Sequence, residues 1–419
     1  MRVVVIGAGL MGLLTAYFLN KRGVEVTVID RQDSSGRETS FANGAMLHAS
    51  QASPWNAPGV LRKVLRSIGN EDSALLIRFR ELPRLLRWGM EFVSNSDQQR
   101  YTRNLLRNAR LAGYSLRVMQ DLRNVEELNY DFAAQGTMTI YSGQRELDIS
   151  ASNHAANSSG DAPFEVLDSR GAAQLEPALS RIADRIVGAI YYPRDESGDA
   201  FKFCQCLQRI CQSNGVKFGF GIRVTKLTRS GGEVTAVNTN SRQYSADKFV
   251  LAAGSYSTIL SRSAGLRVPV RPVKGYSITT PIGTWTKPPT IPVIDDKFHA
   301  AVCPLGDRLR VAGTAEFAGF DTTLTGSRID NLIRLLTSTY PDFEPHFDLS
   351  ITDRWAGLRP MTSTGVPLLG RTSITNLYLN TGHGHLGWTM AAGSSLAVAQ
   401  EIVDGQSEFD LDDYRLLAP

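Results

Sequence analysis

The chain has 419 residues, 42% hydrophobic and 21% charged, enough to bury one large core or two smaller ones and ordinary for a soluble globular protein. A net charge of +4 is too mild for nucleic-acid binding, which needs a concentrated basic stripe. No apolar run is long enough for a transmembrane helix.

The chain opens MRVVVIGAGLMGLLTAYFLNKRGVEVTVIDRQ. Arg2 to Ile6 predicts a buried parallel strand, Leu13 to Lys21 a helix stopped by Gly23, and Glu25 to Ile29 a second strand. Because the apolar start is broken by glycines and runs straight into this motif, it does not read as a signal peptide. Gly7, Gly9 and Gly12 stand in G-x-G-x-x-G spacing between the first strand and the helix. Gly7 allows the tight turn, Gly9 lets a pyrophosphate approach bare backbone, and Gly12 lets helix and strand pack closely. Leu10 and Met11, inside this glycine loop, are also expected to contact the cofactor, and the free N–H groups and dipole of the following helix start favour phosphate. Asp30, followed by Arg31, is placed to accept the hydroxyl protons of an adenosine ribose, and its charge argues against a 2′-phosphate.

Residues 57–213 read mainly as helix or irregular structure. VLRKVLRSIG and LLIRFRELPRLLRWGMEFV alternate apolar residues with Arg62, Lys63, Arg66, Arg78, Arg80, Arg84 and Arg87. Such a pattern is either a solvated helical face or a surface that lies on an anionic membrane. Cys204, Cys206 and Cys211 fall in one predicted helix; with Cys303 they match no metal spacing and read as reduced thiols. Arg223 to Lys248 predicts a three-stranded meander beginning near Val224, with Ser230-Gly231-Gly232 as a turn. Phe249 to Ala252 follows as a strand ending in Ala253-Gly254. This order suits an FAD site. A nicotinamide dehydrogenase, the alternative from a different class, more often continues with regular βα units.

Near the end, Leu377 to Asn380 predicts a strand, Gly382-His383-Gly384 a turn, and Leu386 to about Val403 a helix. The helix start at His385, Leu386 and Gly387 would bring N–H groups and a positive dipole to the negative pyrimidine end of a reduced flavin. Ala391, Ala392 and Gly393 are small enough for close approach to another backbone. His383 and His385 lack companions at ligand spacing, so no metal is expected.

Together with this N-terminal fingerprint, ETSFANGAMLHAS, PWNAPGV, DESGDAFKF, PVKGYSIT, WAGLRPMTSTGVPLLGR and LNTGHGHLGWTMAAGS make the chain resemble, over nearly its whole length, the glycine oxidase and D-amino-acid oxidase family of flavoproteins, and within it the bacterial D-amino-acid dehydrogenase small subunits. The last two segments are specific to it. The resemblance implies an α/β fold with a discontinuous FAD-binding Rossmann-like domain (1–56, 200–268, 352–419) and a mixed-sheet, partly helical substrate domain (57–199, 269–351). It places Thr39, Ser40, Asn43 and Gly44 along flavin and pyrophosphate. It assigns Arg359, in Gly357-Leu358-Arg359-Pro360, to the substrate carboxylate, which a guanidinium grips with a planar fork. Tyr276 is either a pocket tyrosine or a half-buried strand residue, and Lys274 is structural or on the flavin side. Where the dehydrogenase branch tends to carry G-Q-x-S, this chain has Ala45-Met46-Leu47-His48; His48 is a pocket residue or a local hydrogen-bonder.

The implied reaction moves a hydride from Cα of a D-amino acid to flavin N5, and the imine hydrolyses to a 2-oxo acid and ammonia. FAD is expected to be noncovalent, since no cysteine follows Cys303. The implied acceptor is a respiratory quinone, with the protein cytoplasmic or peripheral on the cytoplasmic face of the inner membrane. Two other expectations stay open: oxidation of a secondary amine (an opine, a hydroxyproline isomer, sarcosine or glycine), with or without a hetero-oligomer partner subunit, and a flavin-binding subunit with no turnover of its own.

Overall fold

The first strand, Arg2–Ile6, runs through the middle of a six-stranded sheet ordered 368–371, 377–381, 248–251, 2–6, 25–29, 217–219 in the computed structural model, which describes residues 1–71, 73–157 and 163–416. All pairings are parallel except 368–371 against 377–381. Both faces are covered, which is why the strand is apolar without alternation. Val3 and Val5 enter a core with the first helix, α1 (Leu10–Asn20), and the last helix (Gly387–Asp404); Val4 and Ile6 pack with Leu227 and Val237 of the meander.

Helix α1 begins three residues earlier than predicted, at Leu10. The turn needs only Gly7 to Gly9. Gly7 has φ +109°, and a Cβ there would lie 2.5 Å from the Ala252 carbonyl oxygen. A Cβ on Gly12 would lie 1.8 Å from the Gly7 oxygen, so this glycine is spent on strand–helix packing.

The second sheet has nine strands among the described residues. Its order is 353–362, 270–281, 308–317, 300–305, 293–295, 137–141, 188–192 and 165–168, with 75–77 beside 308–317. The helix Gly326–Thr339 closes its core through Ile329, Leu332 and Leu336. Two short helices, α2 (Val60–Arg66) and α3 (Leu82–Ser94), lie over the 75–77 end, and the long α4 (Gln98–Val125) follows.

Two segments sit differently from the expected division of the chain. Strand 353–362 pairs with 270–281 throughout, from Val270↔Thr362 to Thr279↔Asp353, so the chain returns to the first sheet only at Leu368. Helix α4 contributes Leu111, Ala112 and Met119 to the first core. There it lies against the last helix: Gly393 N–H donates to Ser115 Oγ at 3.0 Å, and a Cβ on Gly393 would come within 2.7 Å of Ser115 Cα. Gly393 thus admits α4. Residues 417–419 of the expected FAD domain lie outside the described residues.

Candidate active site

One cavity of about 1810 Å³ runs from the glycine turn to helices α2 and α3. At its first end Gly7, Gly9, Leu10, Met11, Asp30 and Arg31 form the wall, while Gly12 stays behind in its packing role. Gly9 caps α1 with no side-chain bond, and the nearest hydroxyl is Ser40, whose Oγ accepts from Leu10 N–H at 3.3 Å. The Asp30 carboxylate accepts from Ala8 N–H at 2.7 Å and Gln32 N–H at 2.8 Å, and burial raises its pKa. Arg31 stacks 3.8 Å over the Tyr256 ring and pairs with Glu38, another wall residue that the sequence did not flag.

The middle of the cavity is bordered by Thr39, Ser40, Asn43, Gly44, Val224, Ala253 and Gly254. Thr39 Oγ1 donates to the Leu358 carbonyl at 2.8 Å, tying this loop to the arginine-bearing strand. Asn43 Oδ1 accepts from Ala45 N–H at 3.0 Å. Ala45 sits at φ +61°, in the left-handed region. Gly254 has φ +50°, and its carbonyl accepts from Thr381 Oγ1 at 3.1 Å.

The C-terminal turn divides its roles. His383, Gly384, His385 and Gly387 border the cavity. Gly382, at φ +84°, turns the chain against Thr362 and Leu368, and Leu386 is 1% exposed in the core. His383 Nε2 lies 3.1 Å from Ser394 Oγ, its Nδ1 has no partner, and burial lowers its pKa to about 3. The last helix has no side-chain cap at its start. Bare backbone at Gly7–Gly9, the start of α1, the Asp30 carboxylate and the uncapped start of the last helix would fit a dinucleotide lying along this wall.

At that turn the second sheet supplies the charge. Arg359 projects from strand 353–362 and lies across the neighbouring strand, where a Cβ on Gly275 would be 2.3 Å from its guanidinium carbon. Its Nη1 donates to the Thr314 carbonyl, one strand further on, at 2.8 Å. Thr314 is at φ +53°, close to the register shift of this strand pair between Lys274 and Tyr276. The guanidinium carbon lies 5.8 Å from the centre of the Trp55 ring, which stacks on His385 at 5.1 Å. Among the described residues no carboxylate pairs with Arg359, and burial lowers its pKa to about 10, so it stays charged at neutral pH.

His48 also borders this end; its Nδ1 has no partner, and burial lowers its pKa to about 4. His385 falls to about 3 through burial, then through His48 and Arg359. Both imidazoles are therefore neutral near pH 7. Tyr276 borders the cavity, but its hydroxyl donates to Glu316 at 2.5 Å and sits 3.1 Å from Thr325 Oγ1, with 1% of the residue exposed. That hydroxyl is committed inside the sheet. Lys274 is buried behind it, 3.4 Å from Glu316 and donating to the Thr323 carbonyl at 3.0 Å, off the cavity wall. Sequence reasoning passed over Trp55, Gly275 and Thr314 as site residues. The first two lay inside PWNAPGV and PVKGYSIT; Thr314 had no signal, because its role exists only through strand register.

A dinucleotide cleft meeting a sheet-borne arginine defines the class: an oxidoreductase that uses a flavin dinucleotide. Residues 2–401 match the family model DAO, FAD dependent oxidoreductase, and the chain belongs to that family. It is 41% identical over 416 residues to a D-amino acid dehydrogenase of Allorhizobium ampelinum, covering 99% of this chain and 98% of that one. It is 42% identical over 423 residues to a D-amino acid dehydrogenase of Cereibacter sphaeroides, covering 100% and 96%. Among solved structures it is similar to L-proline dehydrogenase from P. horikoshii (TM-score 0.76, 19% identity, 99% and 96% covered). A second is glycine oxidase from Geobacillus kaustophilus (TM-score 0.76, 20% identity, 100% and 99% covered). At those identities the likeness shows the fold.

Proposed function

We propose that this chain oxidises D-amino acids to 2-oxo acids and ammonia as an FAD-dependent dehydrogenase. The observation that carries the proposal is the unpaired Arg359 guanidinium beside the 384–387 turn. A charge buried without a counter-ion is costly unless a ligand supplies one, and an α-carboxylate fits the planar fork. Arg359 then fixes which substrate bonds face the cofactor. Neutral His48 and His385 place no positive charge against the amine. Bound FAD supplies the hydride acceptor. The imine left on the substrate hydrolyses in water. The curated relatives named D-amino acid dehydrogenase support the same substrate class.

FAD is held noncovalently in this proposal; all four cysteines are buried, and none borders the cavity. The acceptor is a quinone or a dye rather than oxygen. No helix among the described residues is long and apolar enough to cross a membrane. Exposed Leu65, Phe79, Leu86 and Met90, interleaved with exposed Arg62, Arg66, Arg80, Arg84 and Arg87, support a peripheral seat on an anionic bilayer.

Anaerobic mixing of the yellow protein with single D-amino acids tests the proposal. Bleaching of the flavin by at least one of them is expected. Bleaching only by opines or N-methyl amino acids would move the substrate to secondary amines. Bleaching only after a partner chain is added would make this a subunit of a larger enzyme.

A further inference from the structure

Beyond Arg359 the cavity continues into an apolar lobe. Met361 stands two residues along the same strand, with its sulfur 2.7 Å from where a Gly384 Cβ would be, so the lobe begins at the flavin-side turn. Trp55, which carries the guanidinium, joins the same cluster. From there the wall is Val64 of α2, Leu75, Trp88 of α3 and Phe317. Trp88 and Phe317 meet at 5.6 Å between ring centres. Of the described residues from 55 to 93, no Asp or Glu borders the cavity, and the one charged residue that does is Arg66, an exposed residue of α2.

We infer that the preferred substrates carry a large, uncharged, apolar side chain, with the carboxylate on Arg359 and the side chain in the lobe between strand 308–317 and helices α2 and α3. This rests on Arg359 holding the carboxylate, as proposed above. Three strands are close enough that Arg359 spans from one to the third, and Trp55, 5.8 Å from the guanidinium carbon, leads from it into the apolar wall. Each methylene that enters such a wall leaves water for apolar contact. A cationic side chain would meet no acid there, and a charge moved from water into apolar surroundings without a partner is strongly disfavoured. A methyl side chain would leave the lobe unfilled.

The experiment is anaerobic stopped-flow bleaching of the FAD-loaded enzyme by D-phenylalanine, D-leucine, D-methionine, D-alanine, D-aspartate and D-lysine. This isolates the reductive step from any electron acceptor. The best of the first three is expected to exceed D-alanine by about ten-fold or more in second-order rate, the value of one or two well-buried methylenes, and to exceed D-aspartate and D-lysine by roughly a hundred-fold. In Val64→Trp, which fills the lobe from α2, the D-phenylalanine to D-alanine ratio is expected to fall about ten-fold, with flavin content and absorbance as the check on folding. D-alanine, D-aspartate or D-lysine as the fastest substrate of the parent enzyme would overturn the inference while leaving D-amino-acid oxidation standing. So would an unchanged ratio in a flavin-loaded Val64→Trp. No bleaching by any of the six would overturn both.

Discussion

Arg359 and Gly275 share one place in the sheet: the guanidinium occupies the space a side chain at Gly275 would take, 2.3 Å from where that Cβ would be. Only a glycine on the middle strand lets the arginine lie flat across it and reach the Thr314 carbonyl. Gly275→Ala is therefore expected to push the guanidinium off its hydrogen bond while leaving the glycine turn at Gly7–Gly9 and Asp30 unchanged. A displacement on the order of 1 Å in a positioning group costs about 100-fold in rate. Steady-state kcat/KM with a dye acceptor checks this, alongside FAD content; a flavin-loaded Gly275→Ala with parental kcat/KM would show that the arginine's path does not matter.

Asp30 is held by two backbone N–H groups, so its carboxylate keeps its place whether or not a ribose is present. Removing it leaves those donors unpaired and, on the proposed role of Asp30, takes away the acceptor for the adenosine ribose. In Asp30→Ala the FAD dissociation constant is expected to rise by about ten-fold or more, the value of a hydrogen bond to a charged group. Flavin recovered in an ultrafiltrate after serial dilution measures it. Acid precipitation of the parent protein should likewise leave the yellow colour in the supernatant, as noncovalent FAD requires.

Three imidazoles set an acid limit on stability. His48, His383 and His385 drop from 6.5 to about 4, 3 and 3 in the folded chain, each through burial first. Between those values and 6.5 these imidazoles bind more protons in the unfolded chain than in the folded one, so their contribution to stability is complete above about 6.5 and declines as pH falls. Melting temperature should fall progressively below pH 6.5. His383→Asn, which cannot take up that proton, should flatten the decline while lowering stability at neutral pH through loss of the Ser394 contact. Parallel melting curves for the two proteins from pH 4 to 7 would exclude His383 as a source of the effect.

Much of this site is legible in the amino-acid sequence, because local rules wrote it. The strand–glycine–helix–strand–acid order of residues 2–30 has one economical fold, and the meander and the final glycine turn lie where their turn residues put them. What escaped depended on contacts distant in sequence. Tyr276 was open to either a pocket or a strand role, and only Glu316, 40 residues on, decides where its hydroxyl points. Helix α4 belongs by position to the expected substrate segment 57–199 and by packing to the first core, through the bare backbone of Gly393. Thr314 enters the site only because three strands, drawn from residues 270–281, 308–317 and 353–362, lie side by side.

The central claim is that Arg359 holds the substrate carboxylate, and the most direct measurement is kcat/KM for the best D-amino acid in Arg359→Ala and Arg359→Lys, with FAD content determined on the same samples. Truncation leaves a substrate carboxylate unpaired in an enclosed site, a cost of roughly 3–5 kcal/mol in kcat/KM. Lysine keeps a charge but loses the fork that orients the substrate, so KM should rise and kcat should fall as well. Flavin-loaded Arg359→Ala with near-parental kcat/KM would contradict the account and remove the arginine from the substrate site.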